Sequence, residues 1–209
     1  MKIEIWSDFA CPYCYLGEKR LEQAIKELDT KEEIEITFKS FQLNPNAVRI
    51  KGDLNELIAK KYNTTYENAK RNNDSIVRAA KEAGLNYDFE NIIVNNTSLA
   101  HQASKFAKDY GKEKILVDRF FKAYFEESKD IGDLDTILEL AKEVNLDSDK
   151  LKKALAVKTY LTEVKQDQTI ASSSGIHSVP YFVIDNKVAV SGAQSVEHFI
   201  GAINKALEV

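Results

Sequence analysis

The stretch that most limits what this chain can become is Cys11-Pro12-Tyr13-Cys14, because one periodicity hands over to another there. Before it, Ile3 and Ile5 alternate with polar residues, the two-residue period of a short strand. Asp8 and Phe9 make a turn. After it, Cys14, Gly17, Leu21, Ala24 or Ile25, and Leu28 recur at steps of three and four, the period of an amphipathic helix. Pro12 suits the first helical position, where its missing N–H costs nothing. Cys11 is thereby predicted at the N-cap, with Cys14 one turn in on the apolar stripe. At that spacing the two Cα atoms lie about 5 Å apart, inside the disulfide range.

The two sulfurs are expected to differ. Cys11 faces free backbone N–H groups and the positive end of the helix dipole, which favour thiolate over thiol. It is read as an exposed nucleophile. Cys14 points into the core and is read as a protonated, hidden thiol that acts second. One reachable sulfur and one resolving sulfur form the apparatus of thiol–disulfide exchange. Half of a zinc site is the usual rival, but zinc takes four ligands. There is no second pair of cysteines, and His101, His177 and His198 lie far away in sequence, so no metal is expected. An inert buried pair is the other rival, since free cysteine is often core.

The chain of 209 residues is long enough for one large domain or two small ones. A net charge of −4 and the lack of a basic stripe argue against nucleic acid as a partner. No apolar run approaches membrane-spanning length. The N-terminus opens straight into a strand with no pattern of a secretory leader, and the expected location is the cytoplasm. Two cysteines in that compartment point to a catalytic or sensing pair before a structural staple.

Ile34, Ile36 and Phe38 alternate with polar residues and make a second strand, so the chain begins strand–helix–strand, a parallel βαβ unit. Pro45 ends the regular pattern. From about 47 to 158 strand signals vanish and helical ones follow each other. Asp53, Thr64, Thr97 and Asp133 are candidate starts, Leu146-Asp147 turns into a short helix, and Gly84 and Gly111 close helices. A helix from about Thr159 to Ser174 ends at Gly175. Val179-Pro180-Tyr181-Phe182-Val183-Ile184 reads as a buried strand, followed across Asp185-Asn186-Lys187 by Val188-Ala189-Val190 in an antiparallel hairpin. Ser195 caps a closing helix.

Strand–helix–strand, a helical stretch, then helix–strand–strand–helix is the layout of an α/β thioredoxin fold with an inserted all-helical subdomain. Residues 1–46 and 159–209 are assigned to the thioredoxin-like part, and 47–158 to the insert. On Val179-Pro180 alone, a trans proline opening a strand is the simpler reading. The thioredoxin layout implies instead a cis proline facing the cysteines.

Asp8 to Gly17 (DFACPYCYLG), Leu43-Asn44-Pro45, Asn96 to His101 (NTSLAH), Asp130-Ile131-Gly132-Asp133, Val179 to Ile184 and Ser191-Gly192-Ala193-Gln194 together resemble the DsbA-like thiol–disulfide oxidoreductases, in particular their FrnE branch. The likeness runs nearly the full length. It implies catalytic roles for Cys11, Cys14 and Pro180, and substrate contacts at Val179, chiefly through its backbone, and at Pro12, Tyr13 and Tyr181. It implies no bound cofactor, and thiol or disulfide substrates, protein or small, with glutathione a possible co-substrate. Where the family usually has glycine before Val-Pro, this chain has Ser178. A sister group of glutathione-dependent transferases and hydroxychromene-carboxylate isomerases shares the scaffold, but places serine where Cys11 stands. That activity remains the alternative, together with a redox-sensing binding module. Phe9, Tyr13, Tyr15 and Tyr181 are read as an apolar rim or as core. His177 is read as exposed, and His101 as packed or capping, without a catalytic role.

Overall fold

A computed structural model describes residues 1–28, 30 and 32–208. Asp29, Lys31 and Val209, which the boundaries above place in the thioredoxin-like part, lie outside the described residues. The elements run β1 (Lys2–Ser7), α1 (Pro12–Glu27), β2 (Glu35–Ser40), β3 (Ile50–Lys51), α2 (Leu54–Lys61), α3 (Tyr66–Glu82), β4 (Ile93–Val94), α4 (Ser98–Lys108), α5 (Glu113–Phe125), α6 (Leu134–Glu143), α7 (Ser148–Ala156), α8 (Leu161–Ser173), β5 (Tyr181–Ile184), β6 (Val188–Ser191) and α9 (Val196–Glu208).

The main sheet has the order β2-β1-β5-β6. β1 pairs in parallel with β2, Ile5 beside Phe38, and antiparallel with β5, Ile5 beside Phe182. The β5–β6 hairpin turns through Asp185 and Asn186, both at φ above 50°, the left-handed pair whose twist suits a two-residue hairpin. Alternation divides the sheet into two faces. Ile3, Ile5, Phe182 and Ile184 belong to the large core shared with α1, α5 and α9. Trp6, Tyr181 and Val183 pack instead with Ala171 of α8 and with Ile176.

The large core does not stop at the sheet-bearing half. One cluster includes Ile3, Phe9 and Phe199 with Phe106, Phe120, Leu138 and Leu151 of the helical stretch. The acidic caps behave as their chemistry predicts: Asp53, Asp133 and Asp147 each accept backbone N–H bonds at the starts of α2, α6 and α7. Gly84 and Gly175 sit at φ +80° and +72°, where a helix end turns left-handed and the next N–H reaches back (Leu85 N to Ala80 O, 2.9 Å; Ile176 N to Ala171 O, 2.8 Å).

Three expectations are corrected. The cap of α3 is Thr65, whose Oγ1 accepts from Asn68 N at 3.2 Å, because Thr64 lies one residue too early. Thr97 does start α4, as read, standing at its N-cap while Asn96 Oδ1 takes the Ser98 N–H at 2.9 Å. Thr159 belongs to the end of α7, its N–H bonded to Ala154 O at 3.0 Å beyond a left-handed Lys158, so α8 begins at Leu161. The helical stretch also holds an antiparallel ribbon, Ile50–Lys51 against Ile93–Val94, whose two-residue strands are too short to show any alternation.

Candidate active site

The turn between β1 and α1 builds the site. Cys11 N donates to Asp8 O at 3.0 Å, and Cys14 N to Cys11 O at 3.0 Å, which tightens the first turn. Cys11 is the N-cap of α1, in an extended conformation that its Pro12 neighbour favours. Both cysteines are free thiols. The Val179–Pro180 bond is cis. Cys11 Sγ lies 3.6 Å from the Val179 carbonyl, so Cys11, Cys14, Val179 and Pro180 share one place.

The approach of α1 to that loop depends on Gly17. A Cβ there would stand 3.1 Å from Pro180 Cγ, 3.2 Å from Phe182 Cζ and 3.3 Å from the Ala193 Cα, closer than side chains normally pack. Glycine therefore sets how near the helix comes to Pro180.

Cys11 is not the exposed residue that the sequence suggested. It is only 5% exposed and Cys14 1%, because the Val179 backbone lies against the first sulfur and α1 tucks under the β5 strand. Burial drives the Cys14 pKa well above that of an ordinary thiol, and the neighbouring Cys11 adds to this. The Ser7 hydroxyl and the Asp8 backbone N–H beside its sulfur pull the other way without reversing the shift.

Asp8 is the hub of the site, which sequence reasoning missed. Its carboxylate is buried and accepts the N–H groups of Ala10 (3.3 Å) and Leu43 (2.7 Å), while His101 Nε2 lies 3.4 Å from its Oδ1. Asn96 ties the same region together, donating to Pro45 O at 2.7 Å and accepting from Gln42 at 3.3 Å. The stretches around Asp8, Leu43 and Asn96 thus converge on one point. His101 is packed, as read, with its ring 4.9 Å from that of Phe9.

Tyr87 is a second residue without a sequence signal. Its hydroxyl donates to Pro12 O at 2.7 Å, pinning the Cys-Pro-Tyr-Cys backbone from the helical stretch. Of the four aromatics, Phe9 and Tyr15 are core, Tyr15 stacking on Phe121 at 5.2 Å. Tyr13 is 47% exposed on the first turn of α1. Tyr181 is half-buried in the Trp6 cluster, on the sheet face away from Ile5 and Phe182. Pro12 is half-buried, and His177 and Ser178 are exposed.

The profile of the DSBA-like thioredoxin domain matches residues 2–204. The YwbO protein of Bacillus subtilis (strain 168), described as uncharacterised, is 32% identical over 204 residues, 97% of this chain and 95% of its own. A probable DsbA oxidoreductase from Streptomyces coelicolor, solved by crystallography, superposes with a TM-score of 0.93 at 31% identity, over 100% of this chain and 90% of that one. The cytosolic disulfide reductase DsbM of Pseudomonas aeruginosa, solved with GSH, shares the fold with a TM-score of 0.68 at 14% identity, over 100% of both chains.

Proposed function

Because the chain belongs to the family of DSBA-like thioredoxin domains, we propose that it exchanges disulfides with protein or small thiols through Cys11 and Cys14. The observation that carries this is the 3.6 Å approach of Cys11 Sγ to the Val179 carbonyl, with Cys14 buried one turn behind. A nucleophile beside the loop that leads into β5 and a shielded resolving thiol are the two parts that exchange requires.

In the reducing direction Cys11, as thiolate, attacks one sulfur of the substrate disulfide and releases the other half as a thiolate. Cys14 then attacks Cys11, forms the Cys11–Cys14 bond and frees the second half. In the oxidising direction a substrate thiolate opens the Cys11–Cys14 bond at Cys11, and a second thiol resolves the mixed disulfide. The Val179 backbone and Pro180 hold the substrate strand, with Tyr13 offering apolar surface beside it. Tyr181, turned to the α8 face, contributes less than its place in the motif suggested.

Glutathione is a fitting small thiol, in line with the DsbM structure solved with GSH. Action in the cytoplasm also agrees with that cytosolic reductase of the same fold. The motifs from Asp8 to Gly17 and from Asn96 to His101 support a place in the FrnE branch. A glutathione-dependent isomerase would have no use for Cys14, and the shielded thiol favours exchange.

The test is a pair of variants in an insulin-reduction assay with dithiothreitol. Cys11→Ser should abolish turnover. Cys14→Ser should accumulate a mixed disulfide on Cys11, seen as an added mass. Full activity in Cys11→Ser would end the reading. Activity on a glutathione conjugate or isomerisation substrate that survives loss of Cys14 would replace it with the transferase class.

A further inference from the structure

Each time Cys14 resolves a mixed disulfide it must lose a proton, and it does so 1% exposed inside the protein. Burial holds that thiol protonated near neutrality, so resolution needs an acceptor close by. Behind the β1–α1 turn lies a narrow cavity with about 10 Å³ of room for the centre of a water molecule. That is room for one water, provided it finds two to four polar partners. Ser7, Ser40, His101 and Ser104 line the space, with Phe9 and Lys39 beside them. Ser7 ends β1 directly before the turn that carries the cysteines and borders the cavity, and its hydroxyl is among the groups that oppose the rise in the Cys14 pKa.

The His101 side chain is 4% exposed, and Asp8, 2% exposed, sits 3.4 Å from its Nε2. An ionised carboxylate only accepts, so Asp8 fixes Nε2 as a donor and leaves the other ring nitrogen as the acceptor. The same carboxylate is placed to stabilise an imidazolium. Of the other titratable groups near the ring and cavity, Glu113 of α5 accepts the N–H of the lining residue Phe38 at 3.3 Å through Oε2, its Oε1 being without a partner among the described residues, and the two lysines are already paired. Lys39 on β2 pairs with Glu4 at 3.3 Å, and Lys105, one turn along α4, pairs with Asp167 at 2.6 Å. Tyr124 of α5 is held protonated by burial and by the Asp8 charge.

We infer that His101, acting through Ser7 and a water in this cavity, takes the proton that Cys14 sheds when it closes the disulfide. This rests on the exchange reading above. In the step, the Cys14 sulfur bonds to the Cys11 sulfur while the bond from Cys11 to the substrate sulfur breaks. The broken bond's electron pair leaves on the substrate as a thiolate. The Cys14 proton passes by the Ser7 hydroxyl and the water to His101, and from the imidazolium through solvent to the departing thiolate. His101 is thus a positioning and proton-holding residue, and Ser7 relays the proton to it.

Reaction with 5,5′-dithiobis(2-nitrobenzoate) separates the two steps, since Cys11 releases the first nitrothiobenzoate and Cys14 the second. Stopped-flow absorbance between pH 6 and 9.5 reads both. His101→Gln keeps a hydrogen bond to Asp8 but holds no proton. It should slow the second release about 10- to 100-fold near neutral pH, the scale of lost general-base assistance, and leave the first within about threefold. The deficit should shrink as pH rises, because hydroxide then removes the Cys14 proton unaided. Ser7→Ala, a smaller lesion less exposed to misfolding, should show the same pattern more weakly. A second release that matches wild type in both variants, or one slowed by the same factor at every pH, overturns the inference while the exchange reading stands. A wild-type protein that releases no second equivalent takes both down.

Discussion

Lys105 of α4 and Glu18 of α1 are both ionisable side chains withdrawn from water, 2% and 1% exposed, but their surroundings differ in kind. Lys105 Nζ lies 2.6 Å from Asp167 Oδ2 and donates to Phe38 O at 2.8 Å. Asp167 also accepts the Ser40 N–H at 2.9 Å, and its backbone carbonyl takes the Trp6 indole N–H at 3.3 Å. The pair ties β1, β2, α4 and α8 together, with Asp167 Oδ2 accepting from both the lysine and the Ser40 N–H. Glu18 faces Lys114, 3.0 Å away, but neither of its oxygens accepts a well-aligned hydrogen bond from the described residues. The Lys114 ammonium is shared with Glu22 and Asp118. Burial, and then the Asp118 charge, push the Glu18 carboxyl up to about 8, with Lys114 only partly opposing. A buried charge persists where its hydrogen bonds are complete, and otherwise takes up a proton.

Three substitutions would break or sharpen that contrast. The largest effect is expected from Lys105→Met, which leaves Asp167 buried without its partner and should cost about 3–5 kcal/mol in urea unfolding. A loss under 1 kcal/mol would mean that the pair is no more committed than the Glu18 site. Glu18→Gln should act in the opposite direction, and only with pH. The folded carboxyl titrates near 8 and the unfolded one near 4.5. Its contribution is therefore complete below about pH 4.5 and lost as pH rises through 8. The variant should match wild type at pH 4 and exceed it by about 1–2 kcal/mol at pH 8.5, a fraction of the full linkage. Parallel stability curves for the two proteins would show that Glu18 ionises normally. Asp118→Asn should give the smallest change, of the same sign and about 0.5 kcal/mol at pH 8.5, because burial and not Asp118 is the leading cause. An effect as large as that of Glu18→Gln would reverse that ranking.

The elements that the sequence announced are those whose cause is local. The β1–α1 handover, Pro12 at the first helical position, the Asp53 and Asp133 caps, the short helix after Leu146-Asp147 and the hairpin across Asp185-Asn186-Lys187 each follow from residues within a few positions of one another. The errors have physical reasons too. Thr64 and Thr65 offer the same hydroxyl, and only the start of helical winding chooses between them. The β3–β4 ribbon pairs residues more than 40 positions apart over two residues a strand, too short for a period. Cys11 was expected at the surface because a helix N-cap usually is, but a loop 168 residues away lies on it.

By itself the sequence determined that two thiols stand one helical turn apart at the start of α1, since strand period, turn, proline and helix period are local properties of the chain. Only the tertiary structure decided what surrounds them. His101 reaches Asp8 across 93 residues, and Tyr87 reaches Pro12 across 75. Such contacts depend on how helices pack around a shared core, and packing carries no period that a single sequence displays.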